Sequence, residues 1–249
     1  MKLMKGDEPK RRTEDLDVAI AIDNWQMFDN VCRTLLSNNF TRCGNSQKFI
    51  YNNDFEVDIV PFGGVAVDEK IGWPPEGNPV MSVKCFQDVM REAITLNIDD
   101  IAKLKIAPLC GQFLIKLDTW NDRNSATDKD AEDMLFILKN YWDTKINAEI
   151  TEWPDVLSED VDNVDTIILG ARWLAYDLCK MLSTDHLLFY VELIENELRK
   201  EEDSNLVYHF MKYFGYKDVS DPKNYIACMD IWSNIGRILS KELKTRNRK

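Results

Sequence analysis

Arg11-Arg12-Thr13-Glu14-Asp15-Leu16-Asp17-Val18-Ala19-Ile20-Ala21-Ile22, answered later by Phe55-Glu56-Val57-Asp58-Ile59-Val60-Pro61-Phe62, sets both the architecture and the chemistry to expect. Asp15 and Asp17 stand two apart, and Leu16, Val18, Ile20 and Ile22 alternate with smaller residues after them. A strand has a side-chain period of two, so the two carboxylates leave one face. Asp58 sits in a second strand-like run, flanked by Val57, Ile59 and Val60. A carboxylate there needs a cation or several donors to offset its desolvation. Three carboxylates on neighbouring strands make a hard-oxygen site of the kind that holds Mg²⁺ against a nucleoside triphosphate. Phosphoryl or nucleotidyl transfer uses such a set because two ions about 4 Å apart stabilise both the attacking and the leaving oxygens.

Around this pair of runs the first half alternates short strands with helices. Residues 16–22 read as a strand and 23–37 as a helix capped by Asp23, with Trp25, Phe28, Val31 and Leu35 on one face. Residues 48–51 and 55–60 flank Asn52-Asn53-Asp54, which is hairpin-turn chemistry. Extended pieces follow at 65–71 and 80–83, with a short helix at 86–93 and further β-like pieces at 94–98 and 104–106. After Pro108 the pattern turns helical: 109–120, then 128–142 opened by Thr127, then 161–182, 187–200, 206–214 and 227–243. Residues 147–160, containing Trp153-Pro154, read as a linker. The fold class is therefore α+β, with a mixed-sheet core over residues 1–110 and a helical region over 111–249.

Composition excludes several classes. The 249 residues are 45% hydrophobic and 30% charged, as in an ordinary globular protein. No apolar run reaches the 18 residues a spanning helix needs, and the basic N-terminus lacks the apolar stretch of a secretory signal. Six cysteines are scattered without a CxxC pair and there are only two histidines, so the reading is reduced thiols in a cytoplasm and no zinc site. The net charge of −12 argues against duplex DNA as a partner. Basic residues at both ends, including Lys241, Lys244, Arg246 and Arg248, read as solvated termini. No GxSxG, HExxH, P-loop or Rossmann glycine motif occurs.

A second constellation runs from Phe113 to Asp133. Lys116, Trp120 and Arg123 follow i, i+4, i+7 spacing and would share one helix face. Two cations beside an acidic metal site would neutralise triphosphate oxygens. Asp128-x-Asp130-x-Glu132-Asp133 lacks the glycine a calcium loop requires and runs into a helix. Trp73-Pro74-Pro75 reads as a rigid loop whose tryptophan is half-buried, with base stacking as the alternative.

Taken in order, Arg12-Thr13-x-Asp15-x-Asp17, Val57-Asp58-Ile59-Val60-Pro61-Phe62-Gly63-Gly64 and Trp73-Pro74-Pro75 resemble bacterial nucleotidyltransferases of the DNA polymerase β-like superfamily. Lys116-Leu117-x-x-Trp120-x-x-Arg123 and Lys129-Asp130-x-x-Asp133 resemble a motif of its AbiEii-like branch, toxins of type IV toxin–antitoxin systems. The likeness spans roughly residues 11–142, with a weaker echo at Leu169-Gly170-Ala171. It implies a Mg²⁺-dependent enzyme that moves a nucleoside monophosphate from an NTP onto a hydroxyl of a small molecule, protein or RNA, with a cognate antitoxin as partner. Asp15, Asp17 and Asp58 would be the metal ligands, and Asp58 would also help activate the acceptor hydroxyl. Thr13, Lys116, Arg123, Lys129, Asp130 and Asp133 would form the nucleotide-binding set. One departure stands out. The superfamily places a Gly-Gly or Gly-Ser phosphate-holding element well ahead of its Asp-x-Asp, and here the sole candidate is Gly6. The alternative expectation is thus a catalytically silent nucleotide-binding or regulatory module on the same fold.

Overall fold

The computed structural model describes residues 15–99, 101–145, 154–157, 165–215 and 220–248. Contacts divide the chain into two compact units, Asp7–Gln87 and Asp88–Lys249. The division precedes residue 110, where composition had placed the boundary, so the elements between join the helical unit.

In the first unit the order is β1 (Asp15–Ile22), α1 (Trp25–Leu36), β2 (Phe40–Arg42), β3 (Lys48–Tyr51), β4 (Phe55–Gly63), β5 (Lys70–Gly72) and β6 (Val80–Ser82). The expected α+β class holds: β1-β4-β3-β2 form a mixed sheet in which β1 runs parallel to β4 and the other pairs are antiparallel. The hairpin turns where asparagine chemistry placed it. Asn52 and Asn53 take φ of 51° and 59°, a left-handed conformation that asparagine tolerates better than most residues. Register partners on β1 and β4 sort by chemistry. Leu16, Val18 and Ile20 pair with Val57, Ile59 and Pro61 on one face, while Asp15 and Asp17 pair with Glu56 and Asp58 on the other. Val57, Ile59 and the β3 residue Phe49 are buried, which fixes this register, because a one-residue slip would bring the acids into the core.

Helix α1 starts one residue later than predicted. Asn24, not Asp23, is the cap, its side chain accepting from the Met27 N–H at 3.0 Å. Its buried Phe28 meets Trp25 and Trp73 with ring centroids 5.6–5.8 Å apart. Trp73 is only 1% exposed, so it is a core residue of this unit and offers no face to a base. Gly64 lies against the chain leaving β1: an added Cβ there would stand 2.4 Å from the Asp23 carbonyl oxygen.

The helical unit takes up α2 (Phe86–Arg91), which straddles the boundary, then β7 (Ile94–Ile98), β8 (Ala102–Ile106), α3 (Leu109–Arg123), α4 (Lys129–Tyr141), α5 (Thr166–Met181), α6 (Thr184–Arg199), α7 (Asn205–Phe214) and α8 (Pro222–Arg246). Polar caps explain why two of these open earlier than periodicity alone suggests: Ser183 caps α6, and Asp221 caps α8 with Pro222 behind it. Helix α4 starts at Lys129, whose N–H donates to the Thr127 hydroxyl at 3.3 Å. The predicted linker lies outside the described residues apart from 154–157, where Asp155–Leu157 form a 3₁₀ turn. Gly170 of α5 belongs to packing: a Cβ there would stand 3.1 Å from the Leu138 carbonyl oxygen of α4.

Buried polar groups organise this unit. Asp88, 2% exposed, accepts from the Ser183 N–H at 3.1 Å, meets His186 Nδ1 at 2.7 Å and pairs with Arg91 at 2.9 Å, fixing the start of α6. Glu197 accepts from the Ser204 hydroxyl and the Leu206 N–H and so ties α6 to α7. His209 is buried and accepts a hydrogen bond from Trp120 Nε1 to its Nδ1 at 3.0 Å. Burial, with a smaller contribution from Lys212, holds its pKa below the usual value. The unfolded imidazole therefore takes up its proton near pH 6.5, before the folded one does. Its contribution to stability is complete above that pH and is lost as pH falls through the folded value. Urea midpoints are expected to drop between pH 7.5 and 5.5, and to drop less in a His209→Gln variant, which retains an acceptor.

Candidate functional site

The strand alternation that built β1 also builds the site. Asp15 and Asp17 sit on the face opposite the core, and Asp17 is the direct register partner of Asp58 on the parallel strand β4. Glu56, the partner of Asp15, adds a fourth carboxylate to this face. Asp15 and Asp17 are exposed, whereas the Asp58 side chain keeps only 19% of its surface. The antiparallel partner of Asp58 on β3 is Lys48. Its ammonium donates to Glu56 Oε2 at 2.9 Å and stands 3.3 Å from Asp58 Oδ1. The hydrogen bond to Glu56, aided by Asp58, raises the Lys48 pKa, so the ammonium stays charged. Asp58 Oδ1 is buried and takes part in no hydrogen bond, so Lys48 meets it as a charge and leaves a lone pair open.

The donor set suits a hard divalent cation: carboxylate oxygens on one face, one of them buried and lacking a donor. Among the described residues, however, no three His, Cys, Asp or Glu side chains gather closely enough to hold an ion between them. Among the described residues, Lys48 places its ammonium on this face. Lys48 and Glu56 escaped the sequence reading, although the signal was present. Stepping outward from the Tyr51–Phe55 pair that closes the hairpin brings Lys48 opposite Asp58.

The second constellation forms a cluster of its own within the helical unit. Arg123 grips the buried Asp130 with two bonds, Nε to Oδ2 at 2.8 Å and Nη2 to Oδ1 at 2.9 Å. Lys116 pairs with Asp133 at 2.7 Å and lies 4.0 Å from Asp130. These contacts lock α3 to α4 through charge-assisted bonds. Lys116, Trp120 and Arg123 follow one another along the continuous helix α3, but Trp120 is 1% exposed and turned to His209, so the three do not make an open binding face. Lys129 is exposed at the start of α4. Thr13 lies outside the described residues. Burial pushes the thiols of Cys110 to about 11 and of Cys179 and Cys228 to about 12, so none of these supplies a thiolate near neutrality.

No family model matches the chain, and no curated protein and no solved structure matches it. Among the described residues no helix is long and apolar enough to cross a membrane.

Proposed function

We propose that this chain is a Mg²⁺-dependent nucleotidyltransferase of the cytoplasm, where nucleoside triphosphates are plentiful. The observation that carries the reading is the register Asp17↔Asp58 on parallel strands, with Asp15 two residues along the same face. A bound Mg²⁺ there supplies charge neutralisation for the phosphates. The chain's own carboxylates do the rest. Asp15 and Asp17 would hold the ion, and Asp58 would accept the proton of an acceptor hydroxyl that attacks the α-phosphorus. The new bond joins the acceptor oxygen to phosphorus, the α–β bridge breaks, and pyrophosphate leaves.

One observation favours a second reading, a nucleotide-binding module without turnover. Lys48 already sits between Glu56 and Asp58, and Lys116 and Arg123 are held by Asp133 and Asp130. Calorimetric titration with Mg²⁺ and each NTP, followed by transfer of α-labelled nucleotide, separates the two. Mg²⁺-dependent binding with labelled product and pyrophosphate release supports the enzyme, binding alone supports the silent module, and neither one overturns both.

Lys48 gives a graded check on the same face. Its ammonium competes electrostatically with an incoming cation, so Lys48→Met is expected to tighten Mn²⁺ binding roughly three- to tenfold, or roughly 0.7–1.4 kcal/mol. Calorimetry on the two proteins measures it, and unchanged affinity would remove Lys48 from the account.

A further inference from the structure

A groove of about 580 Å³ runs between α6 and α8 in the helical unit. Its floor forms where the two helices come close at Gly236: a Cβ there would stand 3.2 Å from Ile194 Cγ2 and 3.7 Å from Leu198 Cδ1. Along one lip stand Arg237, Lys241 and Lys244, spaced i, i+4, i+7 on a single face of α8, with Arg248 in the turn that follows the helix. At the rise of an α-helix the three helical members span about 10 Å. All four are exposed.

Like charges at i, i+4 oppose helix formation by a few tenths of a kcal/mol, so such a row is normally interleaved with acids. This chain has carboxylates in excess, 43 Asp and Glu against 31 Lys and Arg. Even so, Lys241, Lys244 and Arg248 enter no ion pair among the described residues, and Arg237 reaches only Asn234, at 3.5 Å. The one acid lining the groove is already engaged. Glu195 accepts from the Ser240 hydroxyl at 2.8 Å and pairs with Arg199 at 3.1 Å. An acidic protein thus keeps an uncompensated basic row in a concave place, with the hydroxyls of Ser233 and Thr245 beside it.

We propose that the α6–α8 groove binds an extended phosphate-linked polyanion, its phosphates on the Arg237–Lys241–Lys244–Arg248 row. A linear chain of phosphates matches a linear row of cations, and hydroxyl donors serve phosphate oxygens as well. A bilayer is a poorer fit. Membrane-surface helices pair their basic face with large apolar residues, and the exposed large hydrophobic residue of α8, Ile226, lies at its other end. No aromatic residue lines the groove, so bases find no stacking platform and recognition is independent of sequence. Two sources offer this chemistry, a single nucleic-acid strand and inorganic polyphosphate.

Fluorescence anisotropy of the full chain with labelled oligouridylate and with labelled polyphosphate, at several salt concentrations, tests the groove. For the nucleic-acid strand, each phosphate contact contributes about −0.7 to the slope of log K against log salt, so four cations predict a slope of about −3. Lys241→Gln with Lys244→Gln is expected to halve that slope and weaken binding at least about tenfold, with an unchanged melting temperature. Lys103→Gln with Lys105→Gln, on the β7–β8 hairpin, is expected to leave binding intact. Binding of oligouridylate identifies a nucleic-acid strand, and binding of polyphosphate alone identifies the other source. The proposal is overturned if neither binds, if the groove variant binds like the wild type, if the hairpin variant loses as much, or if polyglutamate or anionic vesicles bind as tightly.

Discussion

Asp58→Asn is expected to lower Mg²⁺-dependent nucleotide transfer by roughly 10²–10⁴-fold, the equivalent of the several kcal/mol that a metal ion contributes to stabilising transition-state charge. The change keeps the shape of the side chain and removes the charge that a cation and an acceptor proton both need. It leaves the fold intact, for a reason visible in the sheet. Asp58 Oδ1 takes part in no hydrogen bond, and its neighbour Lys48 retains Glu56 at 2.9 Å as a partner. A part-exposed carboxylate that meets its lysine only as a charge, with one oxygen buried and lacking a hydrogen bond, contributes little to stability, and neutralising it relieves desolvation. Parallel melting curves and α-labelled transfer assays on wild type and variant read the two effects separately. Lost transfer together with a lowered melting temperature would mean that Asp58 acts structurally.

Trp120→Ala is expected to cost about 3–5 kcal/mol, the range for truncating a large buried aromatic side chain. Trp120 is 1% exposed and its Nε1 donates to His209 Nδ1. The truncation therefore opens a cavity between α3 and α7 and also leaves the buried imidazole without its donor. Trp120→Phe keeps most of the volume and loses the hydrogen bond, so it is expected to cost less than half as much. Chemical denaturation of the three proteins gives both differences. Were Trp120 instead part of a nucleotide-facing surface, the alanine variant would keep its stability and lose ligand.

The contrast between these residues shows what sequence reading reaches. Strand β1 was legible because its alternation carries its own period, and the turn at Asn52-Asn53 because asparagine tolerates a positive φ. Together they imply that Asp15 and Asp17 share a face. That Asp17 stands beside Asp58 was not legible, since a parallel pairing joins distant segments and no turn fixes its register. Strand β2 spans three residues, too few to display a period. Lys116, Trp120 and Arg123 show the opposite error. Their spacing describes one side of a helix, but Trp120 packs against α7 while Arg123 and Lys116 reach to α4. Helical spacing says which residues are neighbours on a surface, not which neighbouring helix claims each one. The pairing of Asp88 with His186 across 98 positions is equally non-local.

The parts agree on a division of labour in the local chemistry. One unit presents a carboxylate face whose only close cation is a lysine on the adjacent strand, among the described residues. The other spends its Lys116 and Arg123 charges on joining α3 to α4, while the row on α8 remains uncompensated. Substituting Arg123 is therefore a poor probe of activity, because it leaves the buried Asp130 without its bidentate partner.

Crystals soaked with Mn²⁺ and a non-hydrolysable NTP, measured at the manganese edge, test the carboxylate face most directly. The account predicts an anomalous peak bounded by Asp15, Asp17 and Asp58, with the Lys48 ammonium moved off Asp58 and triphosphate density on the metal's open side. A peak elsewhere, or none while Lys48 keeps its place against Asp58, would contradict it.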